Sequence, residues 1–180
     1  MDNLETWANI LGGLFTAIGV IVALFAIWQE SRASRLTLSV DLSVKLWEKF
    51  EDEQMRKERS AAASALLDML NGKEPSDDKK QGLNSVLNFF ELFGLMFKRK
   101  AIEIPTLKVL ISFWCIPYWQ AISNKLHPKQ KLSYLDASRC ETKDKSLWVN
   151  AENMVLALGF KKESIDTEEL KRFLVSETQL

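Results

Sequence analysis

The chain has 180 residues with 24 basic and 24 acidic side chains, so its formal net charge at pH 7 is zero. This balance excludes a bulk electrostatic attraction to nucleic acid or to an acidic substrate. The two cysteines, Cys115 and Cys140, are too few for a disulfide framework, which agrees with a reducing compartment.

The first predicted element is an uncharged run between Trp7 and Trp28. At about 1.5 Å per residue, a helix over this run separates the two indoles by roughly 31 Å, close to the thickness of a bilayer's hydrocarbon core. A buried core helix does not need so long an uncharged run, and a cleaved signal peptide has a basic leader, whereas this leader is acidic. The run predicts a retained transmembrane helix over 7–28, with 1–6 as a short extracytoplasmic N-terminus and 29–180 as a cytosolic α-helical domain.

The residues that flank the run predict its orientation. Acidic residues precede it, and arginines follow it closely. The positive-inside rule therefore places the C-terminal domain in the cytoplasm and the N-terminus outside. The predicted membrane-interface anchors are Trp7, Trp28, Arg32 and Arg35.

Small residues recur every three or four positions along one face of the predicted span. They let helix backbones approach closely, and the asparagine and threonine among them can hydrogen-bond between helices in lipid. Chance is the alternative explanation, because glycine and alanine are common in spans. The pattern favours a homo-oligomer whose spans pack along Asn9, Gly12, Thr16, Gly19, Ala23 and Ala26.

Residues 36–46 alternate between apolar and polar side chains, which is the period of a strand. A helical pattern competes with it, and no glycine or proline separates this stretch from the span. We therefore expect the membrane helix to continue to about residue 50. Trp47 and Phe50 should then be buried against a core helix that carries Phe89, Phe90 and Phe93.

The rest of the chain has few helix breakers and predicts a mainly α fold. A helix that opens at Asp52 and stops at Asn71-Gly72 is followed by a polar loop. We expect Pro117 to kink or break a helix that begins near Pro105. The predicted segments are helices at 79–99, 105–122, 146–158 (ending at Gly159) and 167–176, with irregular chain over 127–145.

The sequence offers little chemistry of the catalytic or metal-binding kind. His127, the one histidine, lies in a polar turn and is expected to be an exposed loop residue. No Cys/His spacing suits a metal, no glycine-rich loop suits a phosphate, and a Cys115–His127 pair has no third group to orient it. The sequence therefore predicts neither an enzyme nor a bound cofactor or metal.

Basic residues form short runs that allow two interpretations. Ordinary solvated charge is one, with the first run complementing the dipole at a helix C-terminus. An anion-binding pocket for a nucleotide signal or RNA is the other. The candidate residues for such a pocket are Lys98, Arg99, Lys100, Lys125, Lys129 and Lys131.

A pattern in three parts of the chain resembles a known kind of protein. Its parts are 46–59, the Asn-Phe-Phe-Glu…Gly…Lys-Arg sequence within 87–102, and Tyr118-Trp119. Together they resemble bacterial single-span membrane proteins of unknown function with a small helical cytosolic domain, which are similar in layout to membrane accessory effectors of RNA-targeting CRISPR systems. Those effectors assemble as homo-oligomeric pores in antiphage defence. They also carry an Arg/His motif that this chain lacks, since no arginine lies four to six residues before His127.

Two functional hypotheses follow. The resemblance implies a homo-oligomeric, pore-like or membrane-perturbing effector in antiphage defence, a single-pass protein of the bacterial inner (cytoplasmic) membrane whose partners are the lipid bilayer and further copies of itself. The alternative is a membrane-tethered sensor or adaptor. Its cytosolic domain would bind a nucleotide, an RNA or a partner protein of a defence system.

Overall fold

Helices form the regular structure of the described residues. A computed structural model describes residues 22–30, 34, 37–127, 130–160 and 166–180, and no strand occurs among them. The predicted mainly α fold is therefore confirmed. Residues 22–30 are helical, and helix α1 is described over 37–50. The helices that follow are α2 (Glu53–Leu70), α3 (Asp77–Lys98), α4 (Ile104–Leu110), α5 (Ser112–Ser123), α6 (Tyr134–Thr142), α7 (Val149–Ala157) and α8 (Thr167–Glu177).

Most of the predicted span lies outside the described residues, as does the predicted N-terminus 1–6. Among the residues that are described, no helix combines the length and the apolar character needed to cross a bilayer. The chain divides into two compact units, Met1–Asp41 and Leu42–Leu180. The fold described below belongs to the second unit.

Helix α3 is the centre of the second unit, with α2 packed on one side and α7 on the other. Two glycines allow these close approaches. A Cβ at Gly82 would lie 2.7 Å from the Ala61 Cβ on α2, and a Cβ at Gly94 would overlap the backbone of Asn150 on α7. Both positions therefore exclude larger residues unless the helices separate.

The C-terminal part of α1 is built into this core. Phe50 is completely buried, and its ring stacks on Phe89 with centroids 5.4 Å apart. Trp114 on α5 meets the edge of the same ring at 5.3 Å. The predicted helix over 36–46 is confirmed across 37–46, and so is the burial of Phe50. Trp47 is less buried than predicted: it is half-buried, with Trp114 5.4 Å away.

Short-range signals in the sequence set several helix ends. The Asp52 carboxylate accepts the Met55 N–H at 2.6 Å and caps α2. Gly72 and Gly159 follow α2 and α7 with φ values of 71° and 97°, a conformation that favours glycine. Asp166 accepts the N–H groups of two residues at the start of α8. These predicted boundaries are confirmed to within a few residues.

Two predictions about the later helices were wrong in detail. The break in the fourth predicted helix falls at Ile111, whereas Pro117 lies inside α5. The proline ring acts on the carbonyl of the residue four positions earlier, which is Phe113 inside α5, so it does not account for the break at Ile111. Helix α6 occupies part of the stretch predicted to be irregular. It buries only Leu135 and so lacks an apolar stripe, but Ser133 caps it by accepting the Asp136 N–H.

Candidate binding groove

Three polar residues lie on one face of α3. Asn84, Asn88 and Glu91 are separated by four and three positions, which places them one above the other on the helix. Each of them bonds a residue from the later part of the chain. This polar stripe determines how the α6–α7 region docks on the central helix.

Glu91 caps the N-terminus of α7. Its carboxylate accepts the backbone N–H of Ala151 at 2.8 Å and that of Asn150 at 3.3 Å, and also accepts the Asn150 side-chain amide. A carboxylate is favoured there because the first N–H groups of a helix have no partner within it. With Gly94 one turn further on, the Glu…Gly part of the sequence motif holds α7 against α3.

The two asparagines are oriented by aromatic donors. Trp148 Nε1 donates to Asn88 Oδ1 at 2.9 Å, and the Tyr134 hydroxyl donates to Asn84 Oδ1 at 2.8 Å. An indole N–H can only donate, so Asn88 must present its carbonyl to Trp148. The Nδ2 group of Asn88 therefore does not face the Trp148 indole N–H.

The Tyr134 hydroxyl remains protonated at neutral pH. Burial raises the pKa of Tyr134, and this outweighs the Ser138 hydrogen bond and the Lys80 charge, which lower it. Its ring also lies nearly parallel to that of Trp148, with an interplanar angle of 16°. A neutral phenol donates to Asn84 over the whole physiological range.

Beside this stripe runs a groove of about 770 Å³, within the size range of ligand sites. Its walls come from the first half of α3, the α2–α3 loop, the chain before α6, and α6 itself. The lining residues with polar or aromatic side chains are Lys73, Glu74, Lys80, Asn84, Asn88, His127, Gln130, Ser133, Tyr134, Ser138, Glu141, Thr142 and Trp148.

The charges that line the groove are balanced. Lys73 and Lys80 are matched by Glu74 and Glu141. Lys80 and Glu74 form an ion pair at 3.0 Å. The lining therefore carries no net charge when His127 is neutral, so the groove is not a basic pocket.

His127 lies at the edge of the groove and is half-buried, whereas an exposed loop residue was predicted. Its imidazole covers Gly72, where an added Cβ would lie 3.0 Å from Nε2. The Gln130 side chain accepts the His127 N–H at 3.2 Å and the Leu126 N–H at 2.7 Å. The His127 imidazole therefore lies next to the end of α2.

None of the predicted anion-binding residues that the structure describes lines the groove. Lys98, Arg99 and Lys100 are exposed at the end of α3. Lys98 follows Lys80 by 18 residues, which is about 27 Å along a helix. The remaining candidates are Lys125 and Lys131, both exposed, and Lys129, which lies outside the described residues.

Most of the predicted assembly face and membrane anchors fall outside the described residues. Ala23, Ala26 and Trp28 are described, helical and exposed. The predicted residues that lie outside are Trp7, Asn9, Gly12, Thr16, Gly19, Arg32 and Arg35.

A second polar cluster, centred on Arg59, was not found from the sequence. The Arg59 guanidinium is almost wholly buried and binds Glu177 on α8 through two hydrogen bonds, of 2.9 and 3.0 Å. It also donates to the Glu51 carboxylate at 3.0 Å and lies 4.3 Å from the centre of the Phe50 ring. The cluster joins the α1–α2 corner to the last helix.

Aromatic side chains complete the Arg59 cluster. Trp114 Nε1 donates to Glu177 at 3.2 Å, and the Tyr118 hydroxyl donates to the Arg59 carbonyl at 3.1 Å. Burial disfavours the charged form of Arg59, but its bonds to Glu177 and Glu51 outweigh this and hold its pKa above the usual value. Burial also raises the pKa of Tyr118 well above its usual value. These groups stabilise the fold and do not face the groove.

The described residues form no group of three or more His, Cys, Asp or Glu side chains that could hold a metal ion. Cys115 is buried, and burial raises its pKa to about 12, so its thiol is protonated at neutral pH. A protonated thiol is a poor nucleophile. The groove's own chemistry is hydrogen bonding, from amides and hydroxyls placed beside aromatic rings.

Comparison with known proteins assigns a family but no activity. Neither the curated proteins nor the solved structures include a chain that matches this one. A family model does match, over residues 13–158, which is most of the chain. The chain belongs to the family described as Domain of unknown function (DUF4760).

Proposed function

We propose that the chain is a membrane-anchored homo-oligomer of the bacterial inner membrane, in which the N-terminal segment assembles as a pore-like or membrane-perturbing effector of antiphage defence. Exposed apolar surface is the observation that carries the proposal. Every residue from 22 to 30 is exposed, and Val22, Leu24, Phe25, Ile27 and Trp28 are each between 56% and 61% exposed. Exposed apolar side chains that lie close together mark a surface that contacts lipid or another protein.

The uncharged run and its small-residue face support the same proposal from the sequence. Helix α1 ends in the second unit, where Phe50 is buried among aromatic rings. A rotation or tilt of α1 would then have to move the Phe50 contacts. In this proposal, movement of the N-terminal segment changes contacts within the domain.

Assembly is tested with the full-length chain in detergent, by native mass spectrometry. We expect a defined oligomer, and we expect Gly19→Leu to weaken it because a bulky side chain keeps helix backbones apart. Ile18→Leu, at a neighbouring position that does not belong to the small-residue face, is the control and should leave the oligomer intact. A monomeric wild-type protein would refute the proposal, and an unchanged Gly19→Leu oligomer would refute this packing face. Purified oligomer should also release dye from lipid vesicles.

A second candidate function is a membrane-tethered sensor or adaptor, which the groove on α3 favours. Its oriented asparagines and 770 Å³ volume suit a bound ligand. Exchange of residues 7–28 for an unrelated transmembrane helix separates the two functions. A protein that uses the span only as a tether should keep its function after this exchange. A pore-like assembly should no longer release dye from vesicles.

A further inference from the structure

We infer that the groove on α3 binds an extended peptide segment of a partner protein, with Asn84 and Asn88 donating to its backbone carbonyls. The inference rests on the sensor or adaptor function and specifies its ligand. In this inference the two asparagines donate to a ligand through Nδ2, in addition to the bonds that their Oδ1 atoms accept within the fold.

Asn84 and Asn88 each keep a side-chain donor that no described residue uses. The Oδ1 atoms of Asn84 and Asn88 accept bonds from Tyr134 and Trp148. Their Nδ2 groups donate to no acceptor within the described part of the chain. Both asparagines line the groove. Both side chains are exposed and each is bonded to an aromatic partner through Oδ1, so two Nδ2 donors on one helix face are accessible to a ligand in the groove.

The spacing of the two asparagines matches the repeat of an extended peptide. Residues four apart on a helix are separated by about 6 Å along its axis. In an extended chain, the carbonyls that point to the same side recur every second residue, at about 6.6 Å. Two asparagines one turn apart can therefore bind successive carbonyls along one edge of an extended peptide.

The balanced charges of the groove favour a peptide over a polyanion. Two lysines and two glutamates line the groove, so the lining gives no net attraction to a phosphate or to RNA. Lys73 and Glu141 form no ion pair with a described residue. One free charge of each sign suits a peptide that carries both acidic and basic side chains. Leu132, Leu147 and the Tyr134 ring offer apolar contacts to the remaining side chains.

The test uses variants that remove the donors but keep the structural bonds. Asn88→Asp still accepts the Trp148 N–H, and Asn84→Asp still accepts the Tyr134 hydroxyl, while each loses its Nδ2 donors. Asn153→Asp makes the same chemical change on α7 at an exposed position outside the groove. Thermal melting of each variant shows that the fold is preserved.

Linear peptides are first selected from a phage-displayed random library on the full-length chain in detergent, and their binding is then measured by fluorescence anisotropy. We expect Asn88→Asp and Asn84→Asp each to weaken binding about tenfold, while Asn153→Asp binds like the wild type. The inference is overturned if no peptide is selected or if the selected peptides bind Asn88→Asp as tightly as the wild type. It is also overturned if pyrophosphate or single-stranded RNA binds in the groove instead, with an affinity that the same two variants reduce.

Native mass spectrometry of the same proteins keeps this result separate from the assembly proposal. An Asn88→Asp protein that loses peptide binding but keeps its oligomer supports the groove as an independent site. A wild-type monomer that binds peptide would refute assembly alone. A wild-type oligomer that binds no peptide would refute the groove inference alone.

Discussion

A buried guanidinium destabilises a fold unless its charge and its donors are matched. Removing an arginine and a carboxylate from water costs several kcal/mol for each ion, and good geometry must offset that cost. Arg59 and Glu177 meet this condition, since their side chains are only 2% and 6% exposed and they share two hydrogen bonds. Loss of either partner alone would leave the other charge buried.

We therefore expect Glu177→Gln to lower the free energy of unfolding by about 3 kcal/mol, the typical cost of breaking a buried ion pair. Arg59→Met combined with Glu177→Met should recover part of this loss, because no unpaired charge remains. Urea denaturation followed by circular dichroism measures both effects. Glu53→Gln, which breaks an exposed pair with Lys57, is the control and should change little. A Glu177→Gln protein as stable as this control would contradict the role assigned to the pair.

Elements with strong local signals could be predicted from the sequence, and elements without them could not. Helices α2, α3 and α8 have capping residues or wide apolar faces, and their positions follow from these. Helix α6 has only the Ser133 cap and one buried leucine, so its composition resembles that of a loop. A capping residue without an apolar stripe was too weak a signal.

The groove and the Arg59 cluster depend on contacts between residues distant in sequence. Arg59 and Glu177 are 118 residues apart, and Asn88 and Trp148 are 60 apart. No local pattern indicates such pairs. Asn88 and Glu91 did appear in the family-like motif, but their roles follow only from the position of α7. The candidate basic residues lie near one another in the sequence, but those that the structure describes lie outside the groove.

At the level of a single helix, α1 should stabilise the domain mainly through Phe50. Phe50→Ala removes a completely buried ring and should cost about 3–5 kcal/mol of the free energy of unfolding. Trp47→Ala should cost less, because Trp47 is only half-buried. Val44→Ala, at a position that is 49% exposed on the same helix, is the control and should be nearly neutral. Chemical denaturation of the three variants checks this order, and equal effects would contradict it.

At the scale of the whole molecule, the second unit begins within α1 and not after it. Helix α1 contributes Phe50 to the core of this unit. If α1 contributed nothing to the core, its removal would leave the stability of the unit unchanged.

Thermal unfolding of two soluble fragments, residues 31–180 and residues 52–180, tests this central claim most directly. The shorter fragment lacks Phe50 and the rest of α1. A loss of about 4 kcal/mol should lower the melting temperature of a domain of this size by roughly 10 °C. We predict that the melting temperature of the fragment starting at residue 52 is lower by at least this amount, or that this fragment does not fold cooperatively. Equal melting temperatures for the two fragments would contradict the claim that α1 is an integral part of the domain.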